Sequence, residues 1–106
     1  MSALDPLDLR VGIITKAAPN VKARRPAYCL WIDFGPLGTL TSSAQITDHY
    51  SPEVLVGRRV IAAVNLGSRL IAGFRSECLV LGCPDETGAV LLLSVDGDIA
   101  PGTSVF

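Results

Sequence analysis

Lys22, Arg24 and Arg25 fall within four positions of the stretch PNVKARRPAYCLWIDFG, residues 19–35, which then turns directly into an apolar, aromatic run. Guanidinium groups pair bidentately with phosphate and an ammonium acts as a point charge, so the chemistry of this cluster is the holding of a polyanion. Other chemistry is thinly supplied. Cys29, Cys78 and Cys83 are odd in number and lack CxxC spacing, so neither a disulfide framework nor a zinc site is expected. His49 is the single histidine. A Cys78/His49 nucleophilic pair would need hydrogen-bond reach and a third, orienting group, which the spacing does not supply. Glycine-rich phosphate loops and paired catalytic carboxylates are absent, and DGD at 96–98 reads as a turn. The sequence predicts a binding protein without catalytic residues, metal or cofactor.

The net charge of -1 hides a segregation. All nine Lys and Arg lie between residues 10 and 75, where only Asp33, Asp48 and Glu53 oppose them, a local balance of +6. The flanks hold the other seven acids and no base. Such a distribution points to one polyanion-facing surface on an otherwise acidic molecule.

The elements that must position these charges read as mostly β. In LRVGIITKA, Leu9, Val11, Ile13 and Ala17 recur with period two, which predicts a strand with one buried face. AYCLWIDF alternates likewise, with Tyr28, Leu30, Ile32 and Phe34 inward and Cys29, Trp31 and Asp33 outward. GTLTSSAQI continues as a third strand. HYSPEVLVG carries a helix signal, with Ser51 as N-cap, Pro52 at the first helical position, Glu53 in the first turn and Gly57 as the stop. RRVIAAVNL and ECLVLG follow as strands, and GAVLLLSV and GTSVF supply short C-terminal ones. This order predicts an all-β chain, a five-stranded Greek-key barrel of the OB type with a short helix between strands 3 and 4 and short extra terminal strands. The strand 2 to 3 face and the loops of such barrels are where oligonucleotides bind.

The 106 residues are expected to form one domain, residues 1–106, and chains of this size bury only about 60 to 70% of their unfolded surface. With 49% hydrophobic residues and a mean hydropathy of +0.44, apolar surface is in excess. The runs VIAAV and AVLLL are apolar at consecutive positions, so both faces need cover. A two-fold partner is the economical cover, which predicts a homodimer, and Trp31 is assigned to that contact. No apolar run is long enough to span a bilayer and MSALDPLDLR lacks signal-peptide character, so a cytoplasmic protein without membrane insertion is expected.

The segments DLRVGIITKA, RPAYCLWIDFG, SSAQITDHYSPEVLVGRRVIAAVNL and RLIAGFRSECLVLG together resemble the CsaA proteins. These are small bacterial relatives of the tRNA-binding domains appended to some methionyl- and phenylalanyl-tRNA synthetases. The resemblance covers residues 8–106 and implies an OB-fold homodimer that binds tRNA. For the CsaA branch it also implies an export-related chaperone holding unfolded or secretory polypeptides. Carried over by position, the nucleic-acid surface comprises Lys22, Arg24 and Arg25, then Ser42, Ser43 and Gln45, then Asn65, Arg69, Gly73, Phe74, Arg75, Ser76 and Glu77. Leu66, Leu70, Ile71 and Phe74 are the corresponding apolar candidates for polypeptide. Three departures stand out. Leu66, Gly67 and Ser68 occupy a loop that is proline-stiffened in relatives, Cys29 replaces a usual lysine, and Arg75 stands where methionine is expected.

Several of these residues have a second reading. Asn65 and Glu77 either hold loops by backbone hydrogen bonds or touch ligand. Phe74 is either a stacking platform for an unpaired base or a core plug. Arg58 and Arg59 complement the helix C-terminus, and Tyr28 and Tyr50 pack with satisfied hydroxyls.

Overall fold

An eleven-residue strand, β1 (Leu9–Pro19), organises the molecule. The computed structural model describes residues 6–106. After β1 come β2 (Tyr28–Asp33), β3 (Thr39–Ala44), α1 (Pro52–Leu55), β4 (Arg59–Ala63), β5 (Arg69–Ile71), β6 (Phe74–Ser76), β7 (Leu79–Val80), β8 (Gly82–Pro84), β9 (Val90–Leu92) and β10 (Ser104–Val105). The first half of β1 pairs with β4 and β10, Leu9 lying opposite both Ala63 and Val105. Its second half pairs with β2, from Ile13 opposite Asp33 to Pro19 opposite Tyr28. The register slips between Ile14 and Lys16, a bulge at Thr15 that bends β1 so that one strand serves two walls.

The main sheet runs β3-β2-β1-β4-β7. The amides of Glu77 and Cys78 both donate to the Thr41 carbonyl, at 2.7 and 3.1 Å, and so bring the chain ahead of β7 back against β3. The result is a nearly closed all-β barrel of the OB type. Ile14, Leu30, Ile32, Phe34, Leu55 and Val60 fill it, each fully buried. α1 is a single turn with Ser51 at the N-cap position and Pro52 first, as the sequence predicts, although the Ser51 side chain makes no cap bond. Its one buried residue, Leu55, joins the core.

Position 12 has to be glycine. A Cβ there would fall 2.5 Å from Ile32 Cγ2 and 2.7 Å from Phe34 Cε1. That packing corrects the single-faced reading of β1. Gly12 and Ile14 face the main core, Ile13 is only half-buried, and Leu9 belongs to a second cluster with Ile61 and Ala63. Leu81, Val95 and Val105 pack against that second cluster. The outer face of VIAAV is therefore covered by the chain's own C-terminal segments. AVLLL divides differently: Leu92 is buried in the main core while Leu91 and Leu93 stay exposed. ECLVLG, expected as one strand, splits into β7 on β4 and β8 on β9 because the two halves pair with different partners.

Candidate nucleic-acid interface

The basic loop joins β1 to β2 and is shaped by Asn20. Its Oδ1 accepts from the Lys22 amide at 3.2 Å, its carbonyl accepts from the Ala23 amide and its own amide donates to the Ala27 carbonyl. This is the side-chain-to-backbone turn that Asn forms readily. Asn20 Nδ2 also donates to the Ile71 carbonyl at 3.4 Å, tying the basic loop to the hairpin formed by β5 and β6. Asn20 is a positioning residue that the sequence reasoning passed over, although an Asn directly after a strand and two residues before the first cation is a turn signal.

The β5–β6 hairpin turns through Ala72 and Gly73, both at positive φ, 47° and 80°. Two consecutive left-handed residues match the right-handed twist of the flanking strands. Gly73 supplies that conformation without strain, and the Lys22 side chain lies beside it. The hairpin is anchored on β3. Thr41 Oγ1 donates to the Arg75 carbonyl at 2.6 Å, and the Ser43 amide donates to Ser76 Oγ at 3.0 Å. Glu77 Oε1 accepts from the Thr41 amide at 3.0 Å and lies 2.8 Å from the Thr41 hydroxyl, which shares its one proton between Glu77 and the Arg75 carbonyl. Ser76 and Glu77 thus hold the hairpin in place.

Between the basic loop and the hairpin turn lies a cleft of about 510 Å³, which Lys22, Arg24, Arg25, Ser43 and Gln45 line together with Ala72. On the other side of β5 a second cleft of about 360 Å³ is lined by Leu66, Ser68, Arg69, Ser76, Cys78 and Leu79. Ser43 and Ile71 belong to both, so the two form one path across the outer face of β3. Among the described residues the ion pairs are Arg10–Asp8 and Arg59–Asp98, and His49 is hydrogen-bonded to Asp85. None involves a cation of either cleft, which leaves that face positive. Arg75 donates to Ser68 Oγ at 3.0 Å and so braces the loop that lacks prolines.

Trp31 is half-buried on the same outer face. The Phe74 ring meets it edge-on at 5.3 Å, and Lys16 Nζ stands 4.6 Å above its centroid. Its cover therefore comes from within its own chain, and Phe74 serves as the aromatic under the hairpin. Three expected residues lie elsewhere. Ser42 is fully buried because the β3 alternation turns it inward beside Ala44. The side chain of Asn65 accepts from the Asp8 amide and donates to the Pro6 carbonyl, fastening the loop after β4 to the N-terminal segment. Leu70, with Arg75 opposite it, is exposed on the outer side of the hairpin.

The remaining polar candidates have structural partners. The Arg58 guanidinium stacks on Tyr50 at 5.1 Å and Arg59 Nε donates to the Ile99 carbonyl, so both hold loops and neither complements α1. Tyr28 donates to the Tyr50 carbonyl, and the Tyr50 hydroxyl accepts from the Leu92 amide. Burial, reinforced by the charge of Glu77, pushes the Cys78 thiol up to about 12, so at neutral pH it is protonated and a poor nucleophile. No helix among the described residues is long and apolar enough to cross a membrane.

Comparison with known proteins agrees with this geometry. The family described as "Putative tRNA binding domain" matches residues 9–104. The crystal structure of chaperone CsaA from Bacillus anthracis superposes with a TM-score of 0.91 at 45% identity, over 100% of this chain and 99% of that one. That of the CsaA chaperone protein from Picrophilus torridus gives 0.90 at 41%, covering all of both chains. A methionine–tRNA ligase of Methanocaldococcus jannaschii is 37% identical over 105 residues, which is 99% of this chain and 16% of that enzyme. The chain thus spans about one sixth of that ligase. With nearly all of its length matched, the chain belongs to the tRNA-binding domain family.

Proposed function

We propose that this chain is a non-catalytic tRNA-binding module of the cytosol, one domain over residues 1–106. The observation that carries the reading is the convergence of Lys22, Arg24 and Arg25, without carboxylate partners among the described residues, on a cleft floored by Ser43 and Gln45. Phosphate contacts of this kind fix register on the RNA without reading sequence. Arg69 and Arg75 extend the positive path across the hairpin, while Gly73, Ser76 and Glu77 act as its supports, and Ser42 and Asn65 take no part in it. Phe74, edge-on against Trp31, lies on the hairpin beside the path. If about four phosphates are neutralised, log K for bulk tRNA falls against log salt with a slope on the order of -3 to -4 in filter-binding titrations. An affinity independent of salt would sink this assignment.

A second reading, the holding of unfolded polypeptide, is favoured by the apolar rim of the second cleft. Leu66 and Leu79 line it and Leu70 stands nearby on the hairpin, each more than half exposed, at 54%, 51% and 64%. The structural neighbours named as chaperones support it further. Ile71 and Phe74 complete that apolar set. The two roles are compatible, since phosphate and apolar side chains would engage adjacent parts of one path.

A homodimer belongs to the same proposal, on a different face from the one the sequence suggested. Residues 60–64 have their own cover, so the apolar surface proposed for the partner is that of exposed Leu91 and Leu93, with exposed Cys83 opposite Leu91. A two-fold partner there would also set two basic paths on one assembly, raising affinity for a large RNA through effective concentration.

A further inference from the structure

The larger cleft has the size and lining of a receptor for one nucleotide. Its volume of about 510 Å³ lies within the roughly 300–1,000 Å³ of small-ligand clefts. The walls carry unusually small side chains. Ala23 and Ala27 line the basic-loop side and Ala72 the hairpin side. Ala72 holds φ of 47°, a conformation in which glycine or asparagine is the ordinary occupant. A residue kept there against its backbone preference is the kind of outlier that marks a functional constraint. Asparagine would suit the turn better and would crowd the cleft; alanine leaves it open.

The lining supplies groups of three kinds. Arg24 and Arg25 offer forked donors to a phosphate, Ile71 offers an apolar wall, and Gln45 and Ser43 offer donor and acceptor groups. Gln45 is exposed and makes no hydrogen bond among the described residues, so its amide is free for a ligand. Donors for a phosphate, an apolar wall, and an amide able to meet a base edge together match a nucleoside monophosphate unit. Within a folded RNA only a nucleotide out of the stack can present all three at once.

We propose that the cleft between the basic loop and the Ala72–Gly73 turn receives a single unpaired nucleotide of the bound RNA. The proposal rests on the RNA-binding reading above and adds to it a structural preference, for RNA with an extruded nucleotide over a continuous duplex of equal charge. The protein thereby selects RNA by its irregular positions, where phosphate contacts alone would select nothing.

The test compares a short RNA duplex carrying one unpaired adenosine with the same duplex fully paired, at one salt concentration. The expected result is affinity about tenfold higher for the interrupted duplex, the size of one good base contact. Ala23→Leu fills the cleft without demanding positive φ. It should remove the preference while the affinity for the paired duplex stays within about threefold. Gln45→Ala, on an exposed side chain, should reduce the preference without altering the fold. Equal affinity of the native protein for both duplexes overturns the nucleotide receptor and leaves phosphate-driven RNA binding standing. Failure to bind either duplex or bulk tRNA overturns both. If Ala23→Leu instead weakens suppression of aggregation of a denatured protein and leaves the preference intact, the cleft belongs to polypeptide and the proposal fails.

Discussion

The two ends of this barrel treat their charges in opposite ways. Around the basic loop and the β5–β6 hairpin, the cations of the two clefts have no carboxylate partner among the described residues. Toward the C-terminal strands, two of the acids have partners. Asp85 takes bonds from Thr87, Ala89 and His49, and Asp98 faces Arg59. Apolar surface is exposed on both: the hairpin leaves Leu70 in solvent, and the C-terminal side leaves Leu91 and Leu93 there, although a buried second cluster of Leu9, Ile61 and Ala63 underlies it. Charge satisfied locally contributes to holding a fold; charge left unpaired attracts a ligand. One side of the molecule is therefore built for stability and the other for binding, and mutations should separate them.

The largest effect is expected on the binding side. Arg24→Glu with Arg25→Glu replaces two phosphate partners by repulsion and should weaken bulk tRNA binding on the order of 100-fold or more in filter titrations. Both side chains are exposed, so the melting temperature should barely move. Suppression of light scattering by a denatured client should also survive, since it draws on apolar surface. An unchanged tRNA affinity would remove the basic loop from the interface. The converse experiment is Ile61→Ala in the second cluster. It should cost about 2–4 kcal/mol in urea denaturation and leave the salt slope of tRNA binding unaltered. A changed slope would mean that the two sides are coupled.

The same division explains what could be read from the sequence. Tyr28, Leu30, Ile32 and Phe34 alternate inward as predicted because β2 is regular, with one face on the main core. β1 misled because Gly12 and Ile14 ahead of the bulge at Thr15 and Ala17 after it share the main core, a change of parity that leaves no single period to read. The cover over VIAAV was invisible for another reason. It comes from Leu81, Val95 and Val105, far along the chain, and such pairing is tertiary information. At the candidate interface the charges were legible as composition. Their geometry was not, because it depends on the Asn20 bond to Ile71 and on a hairpin whose turn uses alanine in place of the expected asparagine or glycine. Ser42 shows the limit of carrying residues over by position: β3 alternates, and only Ser43 of the pair faces outward.

Of intermediate size is the effect on assembly. Leu91→Glu with Leu93→Glu places like charges on the face proposed for the two-fold partner, where facing copies repel. The wild-type chain should sediment at twice 11.2 kDa at micromolar concentration and the variant at 11.2 kDa. Binding to tRNA should then weaken through loss of the paired paths, by much less than in the charge reversal of the basic loop. A wild-type monomer would overturn the dimer, and a dimeric variant would move the interface elsewhere.

The smallest effect is expected at Asp85, on the side built for stability. Its carboxyl is held well below the usual carboxylate range, chiefly by the Thr87 hydroxyl, then by His49 Nε2 at 2.6 Å and by the Thr87 amide. A carboxylate whose folded value is depressed stabilises the fold above its unfolded value, near pH 4, and loses that contribution as pH falls toward the folded one. Asp85→Asn keeps the shape and removes the titration. Its melting temperature should lie below wild type at pH 7 and pH 5, and the two curves should converge as pH drops below about 4. The gap should be modest because Asp85 lies at the surface, where solvent screens such interactions. Since the β8–β9 hairpin is far in kind from the basic loop, tRNA affinity at pH 7 should not follow the substitution. A variant as stable as wild type across this range would show that the Asp85 hydrogen bonds only arrange the hairpin. A parallel fall in tRNA affinity would break the separation between the two sides.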